Sequence, residues 1–162
     1  MGTRHLIEVI DEWEIKIAQY WQWDWYIEWQ GFEILDFLRN KENIKKLKEG
    51  LKKVKFYTWE EDFIKDYIKN EEKRDFTKEQ LEWFKTYISR NLGSEILKNV
   101  ASIKDGQTIL LQDSRYFKEN SLFCEYYYII DLDNMTLDIN GYKTYDINNL
   151  PSNEEVLKDF NE

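Results

Sequence analysis

Hydrophobic and polar positions mark two strand-like runs near the start of the chain, the second of them alternating with period two. The runs RHLIEVI (4–10) and EIKIAQY (14–20) each read as a strand, parted by the polar turn Asp11-Glu12. The alternation continues through the odd positions Ile15, Ile17, Gln19, Trp21, Trp23, Trp25, Ile27 and Trp29. Taken literally, it makes one strand far longer than the usual five or six residues or so. Its face of four tryptophans would be either a buried slab or an aggregation hazard. The expectation is therefore a strand to about residue 21, a loop over 21–31 and then a helix. The tryptophans of this region are expected to form a partly exposed aromatic patch.

Beyond the loop the period changes. Phe32, Leu35 and Leu38, then Ile44, Leu47, Leu51 and Val54, fall at spacings of three and four, with lysines on the opposite face. Gly50 interrupts that helical pattern at a cost of about 1 kcal/mol. Thr58 with Glu61, and Thr77 with Gln80, are capping-box pairs that open helices over 58–70 and 77–88. Gly93 precedes a short helical run, Ser94 to Val100. The segments 107–112, 123–132, 135–140 and 142–147 are rich in β-branched and aromatic residues, with turns at Asp133-Asn134 and Asn140-Gly141. Strands at both ends with helices between predict an α+β fold in which terminal strands share one mostly antiparallel sheet. Residues 1–150 form this single domain, and 151–162 a polar tail or short helix.

Composition narrows the class. With 162 residues, 42% hydrophobic and 34% charged, the chain suits one compact domain. No apolar run reaches membrane-spanning length, and MGTRHLIEVI lacks a signal peptide's apolar core, so a soluble cytoplasmic protein is expected. The single Cys124 excludes an internal disulfide framework. A net charge of −9 argues against nucleic acid as partner. The basic stretch 39–55, eight cations against two acids, reads as a solvated helix face.

The opening MGTRHLIEVI, with KIAQYWQWDWYIEWQGFEILDFL after it, resembles an uncharacterised family of phage, bacterial and fungal proteins. Its members open Met-Gly-Thr-Arg-His-Leu and continue with Ala-Gln-Tyr-Gly-Gln-Trp-Asp-Gly-Tyr-Pro. The stretches from Ser89 through Arg90, Asn91, Gly93 and Ser94 to Leu97, and Phe123-Cys124-Glu125-Tyr126 leading to Ile130-Asp131-Leu132-Asp133, are similar to the family too. The resemblance implies kinship and no chemistry. Where it has glycines, this chain has Trp13, Trp21, Trp25 and Trp29, and Ile27 stands at its proline. Tryptophan supplies neither the positive φ nor the close backbone approach that glycine permits. These four positions are read as in-frame UGA codons decoded as glycine in the native host; natural divergence and deliberate redesign are the alternatives.

The loop's polar side chains, Gln19, Gln22, Asp24, Glu28 and Gln30, lie beside a strand-to-helix turn, and with Trp23 and Tyr26 they make it the leading ligand- or partner-binding candidate. The plainer alternative is a turn whose polar groups satisfy backbone amides. Thr3 becomes an N-terminal nucleophile if Gly2 is removed, and otherwise simply starts a strand. His5 and Cys124 would form a dyad only if adjacent in space; a packed imidazole and an inert thiol are the simpler readings. Arg4 and Arg90 suit bidentate binding of carboxylate or phosphate, or else pair with Glu125 or Asp131. Asp131, Asp133 and Asp138 show no metal-ligand spacing, and neither a P-loop nor a dinucleotide fingerprint is present. No metal and no cofactor is expected. One histidine and one cysteine assemble no complete catalytic constellation, which leans the reading towards a domain that binds a protein partner or small ligand through 19–31. The alternative is a small hydrolase, of N-terminal-nucleophile or acid/base type, centred on Thr3, Arg4 and Asp24.

Overall fold

The computed structural model describes residues 4–22, 27–57, 77–120 and 124–161. Their architecture is α+β. A five-stranded sheet runs β2-β1-β5-β6-β7, built from β1 (His5–Asp11), β2 (Glu14–Trp21), β5 (Tyr126–Asp131), β6 (Thr136–Ile139) and β7 (Lys143–Asp146). Three of its four pairings are antiparallel, and β1 with β5 is parallel. Strands from the two ends of the chain thus meet in one sheet, as the sequence pattern predicts. One face carries Ile7, Val9, Ile17, Tyr128, Ile130, Leu137 and Ile139 into the core with Ile34, Leu35, Leu38, Leu47, Ile96 and Val100 from the helices.

β2 stops at Trp21. A wide helical turn, Ile27–Gly31, then leads into α1 (Phe32–Arg39). α2 (Lys41–Leu51) follows after Asn40, whose side chain accepts the Glu42 amide and so caps the second helix. The expected helix through Val54 ends earlier. Val54 instead opens β3 (Val54–Phe56), which pairs in parallel with β4 (Ile109–Leu111) as a separate two-stranded sheet. Periodicity cannot separate the two states for a lone apolar residue at a helix end. The Thr77–Gln80 capping box is present with both of its hydrogen bonds, and it opens α3 (Lys78–Trp83), continued as a wide turn to Ile88. The Thr58–Glu61 pair and its helix lie outside the described residues. α4 (Glu95–Ala101) and α5 (Asn153–Asn161) complete the helices, with Val156 of α5 buried in the core.

Two hairpins share one backbone pattern and differ in chemistry. Asn140 and Gly141 turn β6 into β7 with φ of 61° and 66°, values these residue types tolerate. Glu12 and Trp13 turn β1 into β2 with φ of 53° and 63°. The turn sits one residue later than Asp11-Glu12, and its two amides donate to the Asp133 carboxylate at 3.0 and 2.7 Å. That carboxylate ties the first hairpin to the loop between β5 and β6.

Gly50 proves to be a packing residue rather than an interruption. A Cβ built there would stand 1.9 Å from the carbonyl oxygen of Val100, so α2 and α4 touch backbone to backbone. Gly50→Ala should therefore destabilise by about 2–3 kcal/mol despite alanine's better helix propensity. Urea unfolding of the two proteins measures it, and an unchanged or higher midpoint would mean that the helices part at no cost.

Candidate functional site

The end of the sheet where β1 and β5 begin and β2 finishes gathers most of the candidate residues. β2 presents Tyr20 on the outer face and Gln19 and Trp21 on the inner one, because successive strand residues point to opposite sides. The segment 112–114 lies along the edge of β2, where the Ser114 amide donates to Ala18 O at 2.8 Å. On the other side, the Gln22 amide donates to Arg90 O at 3.3 Å. The short helical turn Arg115–Glu119 crosses the outer face, held by Lys118 on the Glu8 carboxylate at 3.1 Å and by Phe117 packed edge-on to Tyr20. These walls leave a cleft of about 290 Å³ lined by Arg4, Tyr20, Arg90, Gln112, Ser114 and Phe117. The Arg90 guanidinium stands 5.7 Å from the centre of the Tyr20 ring. Both arginines singled out as anion holders therefore face one space. Gln112 and Ser114 join them without a sequence signal, since only the pairing of 112–114 with β2 brings them there.

The inner face at the same end is a row of rings. Opposite pairing sets Trp21 against His5 and His5 against Tyr126. The His5 imidazole stacks on the indole at 5.0 Å with 5° between planes, and on Tyr126 at 5.5 Å and 13°. Tyr128 lies one row further in, 6.2 Å from the indole centre. Trp21 is only 1% exposed, so it does not belong to the expected exposed patch. Trp13 and Trp29, by contrast, are 76% and 59% exposed. Burial won at position 21 because it is the inward position directly opposite His5.

The remaining candidates divide clearly. Gln30 is buried, and its Oε1 accepts the Ser94 amide at 2.7 Å, pinning the 88–94 segment to the start of α1. Gln19 Nε2 donates to Ile88 O at 3.4 Å, and Gln22 Oε1 accepts from the Tyr20 hydroxyl. Gln19 and Gln30 thus tie β2 and the start of α1 to the 88–94 segment. Thr3, Trp23, Asp24, Tyr26 and Trp25 lie outside the described residues. Asp131 accepts the amides of Asp133 and Asn134, and Asp138 accepts Gly141 N and the Thr144 hydroxyl, which commits both to turns. No group of three or more potential ligands that could hold a metal ion occurs among the described residues. No helix among them is long and apolar enough to cross a membrane.

Comparison with protein-family models, curated proteins and solved structures found no match. The site is therefore read from its own residues.

Cys124 is half-buried with its thiol 3.5 Å from Tyr126 O. Burial, aided by the neighbouring Glu125 charge, pushes the thiol up to about 11. The thiolate, the reactive form, is then scarce at neutral pH. Alkylation of Cys124 in the folded protein should run on the order of a hundredfold slower than that of a free thiol at pH 8, rising towards pH 11. Timed iodoacetamide labelling read by mass spectrometry checks this, and a rate equal to that of the unfolded chain would show an activated cysteine.

Proposed function

We propose that the protein is a ligand-binding or interaction domain that takes an anionic group, phosphate or carboxylate, in the cleft between Arg4 and Arg90. The observation that carries this reading is the lining. Two guanidinium groups stand with Tyr20, Gln112 and Ser114 around one cleft, in a chain of net charge −9. Guanidinium forks match the paired oxygens of carboxylate and phosphate, and a concave surface of one sign focuses its field on an approaching anion. The Tyr20 and Phe117 rings supply an apolar side on which the rest of a ligand can rest. The hydrolase alternative draws no support from the described residues, since Thr3 and Asp24 lie outside them.

We further infer that Trp13, Trp21, Trp25 and Trp29 are glycines in the protein made by its native host, through UGA read as glycine. The support is local backbone geometry and burial. Trp13 occupies the second positive-φ place of a two-residue hairpin turn, where the other such turn has Gly141. Trp21 buries an indole Nε1 that has no acceptor among the described residues.

The two readings have separate tests. Inorganic phosphate and citrate, titrated while amide resonances are followed by NMR, should shift residues 4, 20, 90, 112 and 114. Arg90→Ala and Arg4→Ala should each weaken that binding at least about tenfold, as the loss of a charge-assisted hydrogen bond implies. Undiminished affinity in both variants would remove the cleft from consideration. For the codons, Trp13→Gly should raise stability by about 1 kcal/mol by relieving the left-handed backbone. The intact mass of native-host protein should fall short of the tryptophan sequence by about 130 Da per recoded position. A full tryptophan mass would end the recoding idea.

A further inference from the structure

The lining of the cleft between Arg4 and Arg90 bounds its ligand more narrowly than charge alone. Among the described residues around it, Arg4, Arg90, Gln112 and Ser114 all carry hydrogen-bond donors. The two guanidinium groups bring two positive charges. A carboxylate offers two oxygens and one negative charge. A phosphomonoester offers three free oxygens and nearly two charges at neutral pH. The donor set and its charge therefore match a phosphomonoester better than a carboxylate.

Two rings line the same space. Tyr20 and Phe117 stand 4.8 Å apart between centres with 84° between their planes, so they form a corner. The Tyr20 hydroxyl donates to Gln22 Oε1 at 3.1 Å, so this residue brings a ring rather than a donor to the cleft. Phe117 sits in a turn that is fixed before and after it. The Ser114 amide donates to Ala18 O at 2.8 Å, and Lys118 holds the Glu8 carboxylate, which is 2% exposed. A ring entering the corner lies flat on one aromatic face while its edge meets the other, the two arrangements that aromatic pairs prefer. Volume sets the size. The cleft measures about 290 Å³, and a cavity of about 150 Å³ takes one benzene ring, so one ring and one phosphate fill it.

We propose that the cleft takes the phosphomonoester of a single aromatic ring, with the phosphate on Arg4 and Arg90 and the ring in the corner of Tyr20 and Phe117. This rests on the anion reading above and adds to it the charge and the body of the ligand. Phe117 is then the residue that sets specificity, because it meets the ring and not the phosphate. Phosphotyrosine in a peptide and a free aryl phosphate share this chemistry.

The experiment measures dissociation constants for phenyl phosphate, inorganic phosphate and benzoate from the amide resonances of residues 4, 20, 90, 112 and 114. Phenyl phosphate should bind at least about tenfold more tightly than either of the others, since burial of the ring adds to the charge contacts. Phe117→Ala should erase its advantage over inorganic phosphate and leave inorganic phosphate binding unchanged. Should that variant fail to fold, Phe117→Leu decides it, and should weaken phenyl phosphate alone. Equal affinity for phenyl phosphate and inorganic phosphate, or an equal loss of both in the Phe117 variant, would overturn the proposal and leave the anion reading standing. Benzoate binding as tightly as phenyl phosphate would do the same. No shift at these residues with any of the three would overturn the anion reading, and this proposal with it. With the ring and phosphate preferences in hand, a glycine-flanked phosphotyrosine peptide that matches phenyl phosphate assigns the ligand to a protein chain. A peptide that binds much more weakly assigns it to a free monoester.

Discussion

Strand β1 is hydrogen-bonded along both edges and covered on both faces, and the placing of every other element around the site follows from that. Its antiparallel partner is β2 and its parallel partner is β5, from the far end of the chain. His5 to Val9 are all buried, which explains why HLIEVI reads as a nearly continuous apolar run and not as a clean alternation. The one charge in that run, Glu8, is 2% exposed and is held by Lys118 from the 115–119 turn. A buried carboxylate stripped of its cation would be strongly unfavourable, so this ion pair keeps the turn on the sheet's outer face.

That turn is a wall of the arginine cleft, and the same strand end supplies the inner ring stack. Side chains alternate across a strand, so neighbours in sequence serve opposite faces. Arg4 lines the outer cleft while His5 stacks inside; Tyr20 floors the cleft while Gln19 and Trp21 face the core. The cleft and the ring stack are thus back to back across one sheet. The segment 88–94 serves both, offering Arg90 to the cleft and the Ile88 carbonyl to Gln19, and Gln30 fixes it in place through the Ser94 amide. A Cβ on Gly93 would run into the Gln30 amide, so that position needs glycine for space as well as for its φ of 54°.

Much of this was legible residue by residue. The first hairpin, the end of β2 near 21, the Thr77–Gln80 cap, the helix before Ala101 and the last three strands follow from periodicity and turn chemistry. The misreadings have a common origin. Val54 kept a helical spacing yet sits in β3, because its partner Ile109 lies far along the chain. Gly50 read as a flaw because the backbone it approaches, at Val100, belongs to another helix. Trp21 read as part of an exposed patch because nothing near it in sequence announces His5 as its cross-strand neighbour.

The sequence by itself determined what depends on residues a few places apart: strand and helix periods, caps, turns, and the α+β order of elements. It also marked Arg4 and Arg90 as groups suited to anions. Only the tertiary structure decided that the two arginines share a cleft with Gln112 and Ser114, that Gln30 is a tether, and that the Trp21 indole is buried on His5. The reason is physical. Local preferences arise from backbone sterics and short-range hydrogen bonds, whereas a site arises where surfaces from distant segments meet, and here the hydrogen bonds of Ser114 and Arg90 to the end of β2 bring them together.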